Sequence, residues 1–287
     1  MRTPQSLLLA AALTCAAAAP ALADFKLPRP SQNATVTQTI GITDLSIKYS
    51  RPGVKGREIW GKLVPYGSPW RTGANEITTF TTTDSITVEG QGLPAGTYGV
   101  VTIPSPDSWI VAFSRQKDNW GTNEYDPKQD QLRVTVKPTA AEMTEWMQFT
   151  IEPTAPEAAD LVLRWEKLRV AVHVAVDVNR YVMAGVRASV DTAKVGDWRS
   201  FYRAANWANE NNLAPKDVNA WAATALKAQS NFNTLALSAK LARKAGQNQT
   251  AVAQMTQAIA LGKADKDVEA VQIAPLEKLL ADWTAKK

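Results

Sequence analysis

An antiparallel all-β sandwich of about eight or nine strands, followed by an α-helical hairpin domain, is the fold class this sequence predicts. Three observations lead to it. Between about Ser31 and Asp177, short β-branched and aromatic runs alternate with Gly, Pro and Asn turns. No helical stretch long enough for a crossover separates these runs, which argues against a parallel sheet. From about Asp191 onward the apolar spacing lengthens to that of a helix.

The N-terminus reads as an export signal. Arg2 precedes an apolar run from Leu7 to Ala19, and Ala21-Leu22-Ala23 fits small-residue cleavage. Residues 1–23 are therefore expected to be a signal peptide, cleaved after Ala23. A lipid anchor on Cys15 would need a small residue before it, and Thr14 is a poor fit. Cys15 is the single cysteine, so the mature chain cannot form a disulfide of its own. No later stretch is long and apolar enough for a membrane-spanning helix. The expected address is periplasmic or secreted, with no integral membrane span.

The strands follow in order. In "ITDLSIKYS", Leu45, Ile47 and Tyr49 alternate with Ser46 and Lys48. "EITTFTTT" is β-branched, and "SITVEGQGLPAGTYGVVTI" reads as strand, tight hairpin turn, strand. "SWIVAFS", "QLRVTVK" and "WMQFTIE" continue the pattern. The stretch 158–177 divides into two runs, Leu161–Glu166 and Leu168–Asp177. Residues 24–177 form the expected sandwich, 178–190 a connection with a short packed helix, and 191–287 the helical hairpins.

In the tail, Trp198, Phe201, Tyr202, Ala205 and Ala208 share one helix face. Val218, Trp221, Ala222 and Leu226 repeat the spacing, with Pro215 opening that helix. Three further helices are marked by Leu235 and Ala239, by Val252, Met255 and Ile259, and by Val268 through Trp283, with Pro275 a kink. Leu235, Ala239, Ala251, Met255 and Ala258 resemble the small and large positions of a degenerate tetratricopeptide unit. The preceding pair fits it poorly, because Asp217 falls where a small apolar residue belongs. Such a stack implies a groove for a protein partner.

Composition excludes several chemistries. One histidine and no mature cysteine make a zinc site, a Cys nucleophile or an iron–sulfur cluster untenable. His173 lies on the outer face of a strand opposite Val170, Val172, Val174 and Val176, so its reading is structural. There is no nucleophile elbow and no phosphate loop, and "GQGLPAG" joins strands. "KDNWGTNEYDPKQD" has oxygen ligands but no recognised calcium spacing, and reads as a solvated connection. No cofactor, metal or catalytic residue is assigned. The formal charge of +5 and pI near 9.2 come from dispersed Lys and Arg, which read as solvated surface without a nucleic-acid partner.

The densest polar stretch is "WRTGANE", residues 70–76, at the end of a long Gly- and Pro-rich excursion in which "GREIWGKL" is expected to make two helical turns. Two readings stay open. In the structural one, Arg71 pairs with Glu76 or Glu58, Asn75 caps backbone groups, and Trp60 and Trp70 plug one end of the sandwich. In the functional one, Arg71, Asn75 and Glu76 bind a polar ligand or envelope peptide, Trp70 is a flat wall, and Arg57 and Tyr66 complete the set. An alternative makes Glu76 the acid or base of a cell-envelope sugar or peptide hydrolase, which requires a raised pKa in a cleft. A purely structural envelope protein is the third alternative.

"SQNATVTQTIGITDLSIKYSRPGVKGREIWGKLVPYGSPWRTGANEITTF", "LPAGTYGVVTIP" and "EYDPKQDQLRVTVKP" occur in order. Over about Ser31 to Asp177 the chain resembles a family of exported bacterial proteins, the domain of unknown function number twenty-nine eleven. That resemblance implies an extracytoplasmic β-domain. It brings no activity and no catalytic residue.

Overall fold

The computed structural model describes residues 27–285. The expected signal peptide, its cleavage point and Cys15 lie outside the described residues. In chain order the strands are β1 (Gln32–Ile40), β2 (Thr43–Arg51), β3 (Thr78–Thr82), β4 (Ile86–Val88), β5 (Gln91–Leu93), β6 (Gly96–Ile103), β7 (Trp109–Ser114), β8 (Asp130–Val136), β9 (Thr139–Ala155) and β10 (Ala158–Val176). They form a six-stranded sheet, β1-β2-β3-β6-β7-β8, and a four-stranded sheet, β5-β4-β10-β9. Every pairing is antiparallel.

Alternation sets the core. Leu45, Ile47 and Tyr49 are buried, and Phe80, Val100, Trp109, Val111 and Phe113 join them from the same sheet. Met147, Phe149, Leu161, Leu163 and Trp165 face them from the other. Tyr49 fastens the two layers. Its ring meets Phe149 edge-on at 5.0 Å, and its hydroxyl accepts the Phe149 N–H at 2.9 Å.

The two runs expected between Leu161 and Asp177 are one strand, β10. Up to Trp165 its odd residues face the core, and from Val170 its even residues do. Glu166 stands at φ 55°, and the register against β9 shifts on both sides of it. A bulge of this kind reverses which face each residue takes, so one strand reads as two. On the outer face of this sheet, Glu152 accepts from Arg164 at 2.6 Å, and Asp160 lies 3.1 Å from the His173 ring.

Arg164 is the main reason that Glu152 titrates at about 2 instead of 4.5. A depressed carboxyl pKa stabilises the fold above the ordinary value and loses that contribution as pH falls through the folded value. Arg164→Gln should return Glu152 toward the ordinary range in an NMR titration. It should also flatten the loss of stability between pH 4.5 and about 2.

The excursion between β2 and β3 contains turns, not the expected two helical turns of "GREIWGKL". Gly61, at φ 82°, reverses the chain against the Tyr66 ring, and Ile59 and Val64 drop into the core on either side. Anchoring those two side chains takes precedence over local helix formation.

After β10 come α1 (Val178–Asp191), α2 (Trp198–Glu210), α3 (Pro215–Ala228), α4 (Phe232–Lys244), α5 (Asn248–Ala264) and α6 (Ala270–Ala285). Asp177 caps α1 by accepting the Arg180 N–H. The first turns of α1 lie against the sandwich, with Val178 over Gly41 and the Tyr181 hydroxyl donating to Ser85 O at 2.9 Å. Leu235, Ala239, Met255 and Ala258 form the buried seam of α4 and α5. A reciprocal Asn231–Thr234 capping box starts α4. Among the described residues no helix is long and apolar enough to cross a membrane.

Candidate functional site

The chain between β2 and β3 is tied to both sheets. Val54 N–H donates to Glu145 O at 2.8 Å, and Trp70 exchanges two backbone hydrogen bonds with Thr102 at 2.7 and 2.9 Å. Side chains then fill the end of the sandwich. Trp60, Trp70, Trp109 and Trp165 form a cluster in which Trp60 meets Trp109 edge-on at 5.0 Å and Trp70 stacks on Trp165 at 5.8 Å. The Trp70 indole N–H donates to Gly73 O at 3.2 Å. Those of Trp60, Trp109 and Trp165 are buried with no partner among the described residues. Aromatic packing offsets that loss of hydrogen bonding. Trp70 is thus a core residue, as the structural reading expected, and is not available as a wall for a ligand.

Thr72 explains why the segment is so polar. It is buried at 1% exposure, β-branched, and held at φ 56°, a conformation such residues rarely take. Its hydroxyl lies 3.1 Å from both Val100 O and Thr102 Oγ1, and its carbonyl accepts from the Thr78 hydroxyl at 2.7 Å. Those bonds hold the strained residue in place. Thr72→Val keeps the shape and removes the hydroxyl, and should cost about 1–3 kcal/mol in a denaturant titration.

The predicted trio does not converge. Glu76 is held by Arg29, whose guanidinium lies 2.6 and 2.9 Å from its two carboxylate oxygens. Asn75, at φ 59°, donates to Ser31 O at 3.3 Å. Arg71 pairs with neither Glu76 nor Glu58. Its Nε is buried without a partner among the described residues, and desolvation lowers its pKa. The expected Arg71–Glu76 pairing fails because the segment preceding β1 brings Arg29 to Glu76 first. Arg57 turns back onto its own loop, donating to Val54 O and Gly53 O. Tyr66 is exposed and packs on Gly61.

Glu76 does line an open cavity of about 420 Å³ on the outer face of the six-stranded sheet. Asn33, Lys48 and Thr79 form its floor from β1, β2 and β3, and Lys117, Asp118 and Asn119 form its rim. The hydrogen bond from Arg29 is the largest influence on Glu76 and holds its carboxyl below the ordinary value. A general acid requires the opposite shift. Lys117 pairs with Asp118 at 3.1 Å, so both carboxylates of the cavity already have cations. Lys48 has no ion-pair partner among the described residues.

The rim belongs to the β7–β8 loop, read from sequence as a solvated connection. Asn119 O accepts the Ile77 N–H at 3.1 Å, and the Thr122 hydroxyl donates to Pro69 O at 3.2 Å. Between these two ties Trp120 stands 69% exposed. The sequence reading did not single it out. At the loop's far end, Tyr125 donates to Asp130 at 2.6 Å and accepts from Arg133 at 2.6 Å. Burial, followed by the Asp130 bond, pushes Tyr125 up to about 12. Among the described residues no group of acidic or histidine side chains is arranged to hold a metal.

No curated protein and no solved structure matches the chain. A family model described as protein of unknown function, DUF2911, matches residues 31–174. The matched stretch contains the tryptophan cluster, every residue lining the open cavity and both sheets except the last two residues of β10, and the chain belongs to that family.

Proposed function

We propose that this protein is an exported, non-catalytic binding module that works in the periplasm or outside the cell. A polar ligand occupies the cavity beside Glu76, and the helical tail receives a protein partner. One observation carries the reading: an open cavity of about 420 Å³ whose lining combines hydroxyl, carboxamide and ammonium groups, next to a carboxylate already neutralised by Arg29. That pairing favours binding over the hydrolase alternative, in which Glu76 would carry a proton at neutral pH. An open polar cavity that Lys48 borders without an ion pair among the described residues, its charge acting on Glu76 only from a distance, also favours binding over a purely structural envelope role.

The tail supports the second half. A depression of about 520 Å³ runs between α3, α4 and α5, and Asn219, Lys227, Ser238 and Gln247 line it. Gln254, which also borders the depression, has a buried Oε1 with no partner among the described residues.

The test of the ligand site is an amide chemical-shift titration of the mature chain. The probes are D-alanyl-D-alanine, inorganic phosphate, a neutral oligosaccharide and a carboxylated oligosaccharide. Saturable shifts at Glu76, Ile77 and Asn119 with at least one probe are expected. Shifts absent from those amides with all four would overturn the reading.

A further inference from the structure

We infer that β1 is a dimerisation edge, which pairs antiparallel with β1 of a second copy of this chain about a twofold axis at Val36. Pairing of this kind is independent of what occupies the cavity beside Glu76.

β1 ends the six-stranded sheet, and the phase of its hydrogen bonds decides what it presents. Thr39 lies opposite Asp44, and Asn33 opposite Ser50. The Asp44 and Ser50 carbonyls turn the other way, accepting from Thr83 and Ala74 at 3.1 and 3.3 Å. Bonded positions alternate along an antiparallel pair, so Asn33, Thr35, Thr37 and Thr39 direct both backbone groups away from β2. All four are exposed, and among the described residues no other strand or loop pairs with their backbone. The Thr39 carbonyl takes the Gln38 side-chain amide instead, at 3.1 Å. The chain entering β1 leaves this edge clear. Arg29 reaches Glu76 and Ser31 O accepts from Asn75, just before β3 and on the far side of β2.

Sheet edges are ordinarily guarded by charge, proline, bulges or short length. The other three edges here follow that rule. β5 has three residues. β8 carries Asp130 and Arg133 and meets β7 through a bulge. β9 contains Glu142, Glu145 and Pro153, and Val54 and Pro52 bond to its backbone. β1 has none of these devices. Its nine residues, QNATVTQTI, include no charge, Pro or Gly, and they pair with β2 without a register shift.

The strand is also complementary to itself. With Val36 on the axis, Thr35 meets Thr37 of the partner subunit and Asn33 meets Thr39 of the partner subunit. This is the one twofold register that uses all four outward residues, and it forms about eight backbone hydrogen bonds. Thr–Thr neighbours across strands are favourable, and an uncharged edge meets its copy without repulsion. The side chains leave the backbone accessible, because Asn33, Thr37 and Thr39 are tied to Ser50, Ser46 and Asp44 of β2. On the inner face Ala34 and Val36 are only partly buried against the core. Pairing sets Val36 against its own copy and extends that apolar row.

The test is sedimentation equilibrium of the mature chain, residues 24–287, across a wide range of protein concentration. A monomer–dimer equilibrium is expected, and exchange of the Thr35 and Thr37 amides should slow as the dimer fills. Thr35→Pro removes an outward N–H and no bond to β2. It should weaken the dimer about tenfold or more while the dilute monomer unfolds at close to the parent's midpoint. From residue 24 onward the chain has no cysteine, so one introduced thiol reads the register. Residues facing each other at a non-hydrogen-bonded position have Cα atoms about 4.5 Å apart, within disulfide reach. Val36→Cys should therefore give a covalent dimer on mild oxidation much faster than Gln38→Cys. A monomer at every concentration overturns the inference, as does a dimer that Thr35→Pro leaves intact, which must use another surface. Equal crosslinking by the two cysteine variants overturns the pairing about Val36. Thr35 and Thr37 amides already protected in the dilute monomer would show that the edge is covered within one chain, which also overturns it.

Discussion

Trp109→Ala should lower the stability of the sandwich by about 3–5 kcal/mol, read as a shift in the denaturant midpoint. Trp109 is 0% exposed, and its ring meets Trp60 at 5.0 Å and Trp70 at 6.3 Å. Truncation removes the packing of both partners at once and opens a cavity where the excursion between β2 and β3 meets the sheets. Few native contacts lie close enough to collapse into it, because Trp165 is already held against Trp70. Domains of this kind have only about 5–15 kcal/mol in total, so the variant should sit close to unfolding at ambient temperature. The contrast is Trp120→Ala, which removes the same side chain from an exposed position. It should stay within about 0.5 kcal/mol of the parent.

Gly99→Ala should cost about 1–3 kcal/mol and act at a distance from the core, on the loop that carries the cavity rim. A Cβ on Gly99 would stand 2.2 Å from Gln116 O and 2.9 Å from Ile77 Cδ1. The first contact is backbone, so the loop after β7 must lift. Gln116 also holds that loop together, donating to Glu124 O and accepting the Asp126 N–H. Lifting it should break the Ile77–Asn119 hydrogen bond at the rim. Amide exchange at Ile77 should speed up markedly while the amides of β2 and β10 stay protected. Unchanged exchange at Ile77 would show that the loop does not depend on that glycine.

Much of the architecture was legible because it rests on periodicity. Alternation in "ITDLSIKYS" and the helical spacing of Leu235, Ala239, Met255 and Ala258 both report burial that the fold then shows. β10 was misread as two strands because a single bulged residue, Glu166, reverses the alternation without any Gly or Pro to mark it. "GREIWGKL" looked helical because local spacing cannot register that Ile59 and Val64 are claimed by the core.

The candidate site was legible only in part. Sequence proximity suggested that Arg71, Asn75 and Glu76 act together. In the fold Trp70 and Thr72 point inward, Asn75 turns to Ser31, and Glu76 is taken by a residue 47 positions away. Glu76 nonetheless borders the cavity, and the partners that make it a cavity come from β1, β2, β3, β6 and the β7–β8 loop. Those neighbours are set by sheet order, which no local pattern in the chain states.

The four clustered indoles also have a spectroscopic consequence. Trp70 and Trp165 lie 5.8 Å apart with planes inclined by 19°, and Trp60 stands nearly perpendicular to both. Transition dipoles at such separations couple, so the folded chain should display an exciton couplet in its circular dichroism that vanishes when the ring geometry is lost. The signal reports on the junction of the two sheets without any attached dye, and it would follow folding in real time.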